Sequence, residues 1–339
     1  MTGGAKVTVA GAGALGLCSA LALADAGCAV TVCDPQGQGL ASGVAAGMLA
    51  PVFEAALDSQ AFGHFDILTA ARDLWPGLEA RAGVALDRSG AMAVGDEAWL
   101  AEVRAALGRL GVHGVDLPRR TAAALAPGLA PAFDQAVLVR EDWRLEPRAA
   151  LAALRRAAAA AGVAFRQAAV TGPGDADWLV IATGADRGLA EVAPELGRLT
   201  PIKGQIARYP GLAGAGVSVR GQGAYAAPAA TGLAIGATME IGVADAAPDP
   251  PALAPLLEAG ARLFPQLAEA RYTVAAGVRA ATADGLPLAG RSSAPGVILA
   301  VGARRNGWLL APLIGQVVSA CVTGAEAGPY ARRFDPARP

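Results

Sequence analysis

The sequence predicts an α/β protein in which a βαβ unit carries an inserted, mainly antiparallel α+β unit. Residues 7–34 run strand, glycine turn, helix, strand, acid. Residues 202–238 are short apolar runs broken by glycine-rich turns, the pattern of an antiparallel sheet. Near the end, Val297–Val301 feeds another glycine-rich turn and a helix start. A chain of 339 residues has room for about two domains. Hydrophobic residues make up 54% and charged residues 17%, which excludes a disordered chain. The net charge of −1 and the lack of a long basic run argue against a nucleic-acid partner. Cysteines 18, 28, 33 and 321 show no C-x-x-C spacing. They support neither a disulfide framework nor a metal site, and a reduced, cytoplasmic setting is expected.

The first stretch reads Val7-Thr8-Val9-Ala10, Gly11-Ala12-Gly13-Ala14-Leu15-Gly16, an apolar run to Gly27, then Ala29 to Asp34. Gly11 permits the tight turn, Gly13 lets a pyrophosphate approach the backbone, and Gly16 lets the helix lie close on the sheet. Amide N–H groups at the helix start, with the positive end of its dipole, face phosphate charge. Asp34 is placed to accept hydrogen bonds from ribose hydroxyls and would repel the 2′-phosphate of NADP, which leaves NAD and FAD. Val7–Ala24 is uncharged and near the length of a short membrane span. Its glycines at 11, 13 and 16, in the phosphate-turn pattern, and Asp25 directly after argue against a span, and no transmembrane segment is expected.

Ala41 to Met48 is built of small residues, as a backbone beside an extended cofactor requires. Leu49 to Glu54 follows, with Pro51 opposing a long helix and Glu54 a potentially buried carboxylate. Residues 55–81 read as one helix from Phe62, Phe65, Leu68, Ala71, Trp75 and Leu78. His64 on that helix and His113 in a turn receive no chemistry. Val84–Asp87 and Ala91–Val94 read as strands about the Arg88-Ser89-Gly90 turn, and Asp96 as the cap of a helix over 97–110. The alanine- and proline-rich segment 121–134 is the expected crossover between domains. Then come a strand at 137–139, a helix over 148–161, a strand over 163–170, and the buried strand Trp178–Ala182 ending in Thr183-Gly184. Strands 202–209, 217–220, 224–227 and 233–238, a helix over 250–268 and a strand over 271–279 form the inserted sheet. A strand over 297–301 precedes a helix running to Val322.

Taken together, these segments resemble the D-amino-acid oxidase superfamily of flavoproteins, and most of all the glycine oxidases associated with thiamine biosynthesis. The resemblance rests on Gly11-x-Gly13-x-x-Gly16 with Asp34, Ala41-Ser42 through Leu49, Trp143 through Pro147, Ala182 to Ala185, Pro201-x-Lys203-Gly204-Gln205, Tyr225 through Pro228, Gly236 to Glu240, Gly277-x-Arg279 with Asp284-Gly285-x-Pro287, and Gly302-x-x-Arg305-Asn306-Gly307. The last two sets favour FAD over NAD.

The resemblance implies a Rossmann-type FAD-binding domain over residues 1–82, 145–199 and 277–335, and a substrate domain over 83–144 and 200–276. It implies non-covalent FAD held by Gly11, Gly13, Ala14, Leu15, Gly16, Asp34, Pro35, Ala41, Ser42, Ala45, Ala46, Gly47, Met48, Val170, Thr183, Gly184, Gly302, Arg305, Asn306, Gly307, Trp308 and Leu309. It implies oxidation of a small amino acid or amine by hydride transfer to flavin N5, with dioxygen reduced to peroxide. A homo-oligomer is a further expectation. Arg279 matches the position that binds the substrate carboxylate, a role that suits a guanidinium fork. Tyr225 matches an added hydroxyl donor, and Arg305 a second anion anchor that competes with Arg304. Met48, Glu54 and Met239 match pocket-lining positions. Two departures stand out: Ala229 where many relatives carry arginine, and Ala303 where many carry histidine. They leave open a dehydrogenase with another electron acceptor, or a flavin-binding protein without catalysis.

Overall fold

The computed structural model describes residues 4–35, 40–212 and 216–339. Its first sheet runs in the order Leu288–Arg291, Val297–Val301, Trp178–Ile181, Lys6–Ala10, Ala29–Cys33, Ala164–Arg166. The last five strands are parallel, and Leu288–Arg291 joins antiparallel at one edge. Successive side chains point to opposite faces. Val7, Val9, Val30 and Val32 therefore pack into one apolar cluster with helices Ala14–Asp25 and Gly307–Thr323, whereas Leu179, Ile181, Leu299 and Val301 fill a second cluster on the other face. The two helices approach closely at Gly315, where a Cβ would lie 2.9 Å from the Cys18 carbonyl oxygen.

The second sheet follows the order Glu240–Ile241, Thr200–Pro210, Gly232–Gly236, Ala224–Ala229, Ser218–Gly221, Ala91–Ala93, Gln135–Val139, Val115–Pro118. Thr273–Ala281 pairs along its full length with Thr200–Arg208. Every pairing is antiparallel except that of Ser218–Gly221 with Ala91–Ala93. Ala207, Tyr209, Val219, Ala226 and Ile235 bury one face against Leu253, Leu256 and Leu263 of helix Pro250–Leu263. The opposite face carries the site described below. A small sheet of Met48–Leu49, Trp143–Leu145 and Leu86–Asp87 lies off both.

Several sequence expectations are corrected. The helix expected over 55–81 is four pieces, Pro51–Leu57, Ser59–Phe62, Phe65–Asp73 and Trp75–Ala82. Asp58 caps the second by accepting from Gln60 N–H, and prolines sit in the first turns of the first and last, where a missing N–H costs nothing. Leu86–Asp87 and Ala91–Ala93 are not a hairpin, since they pair in different sheets. Segment 121–134 starts and ends on one sheet, because the flanking strands Val115–Pro118 and Gln135–Val139 pair with each other. The strand expected over 163–170 is confined to Ala164–Arg166, and the helix over 250–268 gives way at Phe264 to a 3₁₀ turn. Strand Leu288–Arg291 was not foreseen. Strand Thr273–Ala281 runs unbroken through residue 277, where the sequence reading divides the chain. Among the described residues no helix is long and apolar enough to cross a membrane.

The Gly315 contact yields a stability prediction. Gly315→Val sets branched carbons against backbone that cannot turn away, and overpacking of this kind costs about 1–3 kcal/mol. Urea unfolding of the variant and parent in parallel checks it; an unchanged midpoint would mean that the two helices separate freely here.

Candidate active site

The register of the second sheet assembles one wall of the site. Arg220 stands opposite Tyr225, and Tyr225 opposite Gly236, across three neighbouring strands. Gly236 is paired with Ile206 on the next strand. Gly204 and Ile202, two and four residues back along that strand, pair with Gly277 and Arg279. All these residues therefore share one face. Two of the glycines make room for side chains lying flat. A Cβ on Gly236 would sit 2.2 Å from the Tyr225 hydroxyl oxygen, and one on Gly204 would sit 2.3–2.5 Å from the Arg279 guanidinium. The half-buried Arg279 donates through Nη1 to the Thr238 carbonyl at 3.3 Å and lies 3.4 Å from the Met239 sulfur. No carboxylate among the described residues forms an ion pair with it.

The facing wall comes from helix Pro51–Leu57 and the turn before Gly307. Glu54 is buried, 6% exposed. It accepts from Arg220 Nη2 at 3.0 Å and lies 3.3 Å from Arg305 Nε. Burial alone would raise its carboxyl, but Arg305 and Arg220 outweigh burial and hold it below the ordinary carboxylate range. Asp142, behind it, accepts from Val52 and Phe53 N–H at 2.8 and 3.0 Å, and burial pushes its carboxyl up to about 7. Arg304, with φ of 48°, turns the other way to pair with Asp58. Arg305 rather than Arg304 thus faces the cavity. Burial keeps the Tyr225 phenol protonated by raising it, against the opposing pull of Arg279, Arg220 and Arg305.

These walls enclose a cavity of about 330 Å³. It gathers the predicted residues Tyr225, Arg279, Arg305, Met48, Glu54 and Met239, and along another side Ala41, Ala45, Ala46, Gly47, Asn306 and Trp308. Arg220 lines it too; the sequence reading places it only at the end of a short strand and gives it no role.

The remaining predicted cofactor residues lie beyond the cavity. Gly11 has φ of +109°, and a Cβ on Gly16 would fall 2.0 Å from the Gly11 carbonyl oxygen, so the turn closes on its helix as the motif requires. A Cβ on Gly13 would meet only Ser42, and ones on Gly184 and Gly307 would meet nothing within 4 Å. Backbone is therefore open to a ligand at these three places, which fits an extended dinucleotide. Two amides expected to be free for phosphate have partners: Ala12 N–H donates to Asp34 and Ala14 N–H to the Ser42 hydroxyl, at 2.8 and 3.0 Å. Trp308 Nε1 donates to the Ser42 carbonyl at 3.0 Å, tying the last helix to the small-residue segment. Thr183 donates its hydroxyl to the Asp186 carbonyl. Val170 packs beside Leu179 and Ile181, and Gly302 takes φ of +82°. Pro35 follows Asp34 at the end of strand Ala29–Cys33. Leu15 lies in the first turn of helix Ala14–Asp25, partly buried against the core. Leu309 points into the core, so only its backbone is available to a cofactor. Among the described residues no cluster of His, Cys, Asp and Glu is placed to hold a metal.

Removing the carboxylate between two guanidinium groups exposes its worth. Glu54→Gln leaves Arg220 buried against Arg305, and breaking a buried pair from one side costs about 3–5 kcal/mol. Removing both partners, as Glu54→Leu with Arg220→Met, should cost less than Glu54→Gln alone. Because the Glu54 carboxyl is lowered, its contribution is full at neutral pH and is lost as pH falls through and below the ordinary carboxylate range. Urea unfolding at pH 7 and at pH 4 tests both points; a single variant as stable as the parent would remove Glu54 from this role.

The fold has solved counterparts. Glycine oxidase from Geobacillus kaustophilus superposes with a TM-score of 0.83 over 98% of this chain and 99% of that one, at 26% identity. Iminodiacetate oxidase from Chelativorans sp. BNC1 gives 0.83 over 97% and 98% at 24% identity, and L-proline dehydrogenase from P. horikoshii 0.73 over 99% and 98% at 18%; these two show likeness of fold. The bifunctional protein ThiO/ThiG of Nostoc sp. is 35% identical over 88 residues, which is 25% of this chain and 13% of that protein. The family profile described as FAD dependent oxidoreductase matches residues 6–321. With a glycine cradle at one end of its parallel sheet and this match over nearly its whole length, the chain belongs to the DAO family of FAD-dependent oxidoreductases.

Proposed function

We propose that the chain carries out oxidative deamination of a small amino acid, with glycine, sarcosine and small D-amino acids as the substrate class. The observation that carries the reading is Arg279, a half-buried guanidinium in the cavity with no carboxylate partner of its own among the described residues. Such a cation is stabilised by a ligand carboxylate, bound through two parallel N–H donors. When bound, non-covalent FAD supplies a two-electron acceptor for a hydride, with peroxide formed where dioxygen takes the electrons onward. The cysteines are compatible with non-covalent attachment, since none of the four lines the cavity.

The chain's own residues do the positioning. Arg279 holds the carboxylate and so fixes the neighbouring carbon. Tyr225, kept protonated, donates its hydroxyl to the same carboxylate. Met48 and Met239 with the alanines at 45 and 46 supply apolar lining to the cavity. The substrate amine reacts in its neutral form: a hydride leaves the carbon, a proton leaves nitrogen, and the imine then adds water and releases ammonia, or methylamine from sarcosine. Placement supplies most of the rate, and the lack of a histidine in the cavity is no obstacle. We assign the nucleotide-holding role to the parallel sheet and substrate selection to the face of the antiparallel one.

The test begins with the purified protein, which should be yellow and should bleach under anaerobic conditions with one of these amines and release peroxide in air. Bleaching followed by sluggish reoxidation in air would instead identify a dehydrogenase. Arg279→Ala should retain FAD and lose about 1.5–3 kcal/mol of carboxylate binding, roughly 10- to 100-fold in apparent KM. Gly204→Ala should do much the same without touching a charge, because the new methyl occupies the place of the guanidinium. Unchanged KM in both variants would show that the carboxylate binds elsewhere.

A further inference from the structure

The cavity carries more positive charge than a simple amino acid can neutralise. Arg220, Arg279 and Arg305 line it, against Glu54 as the one lining carboxylate among the described residues. Arg304 and Asp58 sit alongside as a pair, although Asp58 also lies 3.5 Å from Arg305. Asp142 offsets little: both its oxygens are taken by the Val52 and Phe53 amides, and with its carboxyl near 7 it is only partly charged at neutral pH. Glu54 is shared by Arg220 and Arg305, and Arg279 has no acid at all. Arg220 is held at depth: its side chain is 4% exposed, so its charge acts on the cavity with little screening by solvent.

A monocarboxylate whose amine is neutral cancels one excess charge and leaves another beside Arg220 and Arg305. We propose that the site selects an amine bearing two carboxylates, one bound by Arg279 and Tyr225 and the other by the Arg220–Arg305 wall. This inference rests on the amine-oxidation reading and narrows its substrate class. Glu54 repels a carboxylate placed directly over it, so the second carboxylate engages the outer edge of Arg305 and the part of the Arg220 guanidinium that lines the cavity. The same chemistry has two sources, an N-carboxymethyl amine such as iminodiacetate or an amino dicarboxylate such as D-aspartate. Arg220 is on this reading a specificity residue.

The decisive measurement separates binding from turnover. Diglycolate and methoxyacetate have the same ether backbone, cannot be oxidised as amines, and differ by one carboxylate. Titrated into the FAD-loaded protein and followed by the visible flavin spectrum, diglycolate should bind at least about tenfold more tightly, the effect of one added charge-assisted contact. In Arg220→Gln the ratio of the two affinities should fall toward one. Equal binding of the two probes to the parent overturns the proposal, with no variant needed. A preference that survives in a folded, FAD-loaded Arg220→Gln protein overturns the role of Arg220. Anaerobic bleaching rates with sarcosine, iminodiacetate and D-aspartate then identify the source. If diglycolate is preferred and no amine bleaches the flavin, the two-carboxylate site stands and the amine-oxidation reading falls. If sarcosine bleaches the flavin and the probes bind equally, the reverse holds.

Discussion

One buried carboxylate ties the site together. Glu54 sits on a two-turn helix, and its partners Arg220 and Arg305 come from a strand of the antiparallel sheet and from the turn that opens the last helix. These segments lie more than 80 residues apart along the chain. An uncompensated charge at this depth is strongly unfavourable, so none of the three can drift without exposing or orphaning another. Asp142 reinforces the arrangement by holding the first amides of the Glu54 helix. The result is a fixed distance between the wall that carries Tyr225 and Arg279 and the helix start that faces the small-residue segment.

The other determinant is sheet register. Tyr225 and Arg279 reach the cavity because two neighbouring positions have no side chain. Gly236 lies under the phenol and Gly204 under the guanidinium. A slip of one residue in either strand would turn these groups to the opposite face, into the apolar cluster around Tyr209 and Ile235. The helix Pro250–Leu263 packed on that face thus protects the site from behind: burying Ala207, Tyr209 and Ile235 is what holds Gly204, Ile206 and Gly236 toward the cavity.

The parts of this protein that were legible in the sequence are those with local signals. Val7 to Asp34 declares itself through alternating valines, spaced glycines and a terminal acid, and the strands of the inserted sheet through their turns. Breaks produced by single residues were harder to read. Asp58, Gly63 and Leu74 interrupt an apolar period that continues across them. Arg220 was illegible for a different reason. Nothing in Val217-Ser218-Val219-Arg220 tells a buried arginine from one reaching solvent; its burial depends on Glu54, 166 residues earlier. Gly204 and Gly236 were visible as motif letters, but the space they provide belongs to their cross-strand neighbours.

The consecutive arginines 304 and 305 tie the start of the last helix to the cavity wall. Their side chains diverge, and each reaches a different acid of segment 54–58. Arg304 adopts φ of 48°, a left-handed conformation that costs a non-glycine residue about 1–2 kcal/mol. The compensation is visible: Asp58 receives Arg304 and Glu54 receives Arg305, the one in the extended link that caps helix Ser59–Phe62 and the other in helix Pro51–Leu57 before it. The strained residue sits between strand Val297–Val301, which belongs to the parallel sheet, and the first turn of helix Gly307–Thr323. Pinning two arginines to segment 54–58 therefore holds the start of that helix against the cavity wall. The open backbone at Gly307 and the indole of Trp308 are set by the same ion pairs that set the charge of the cavity.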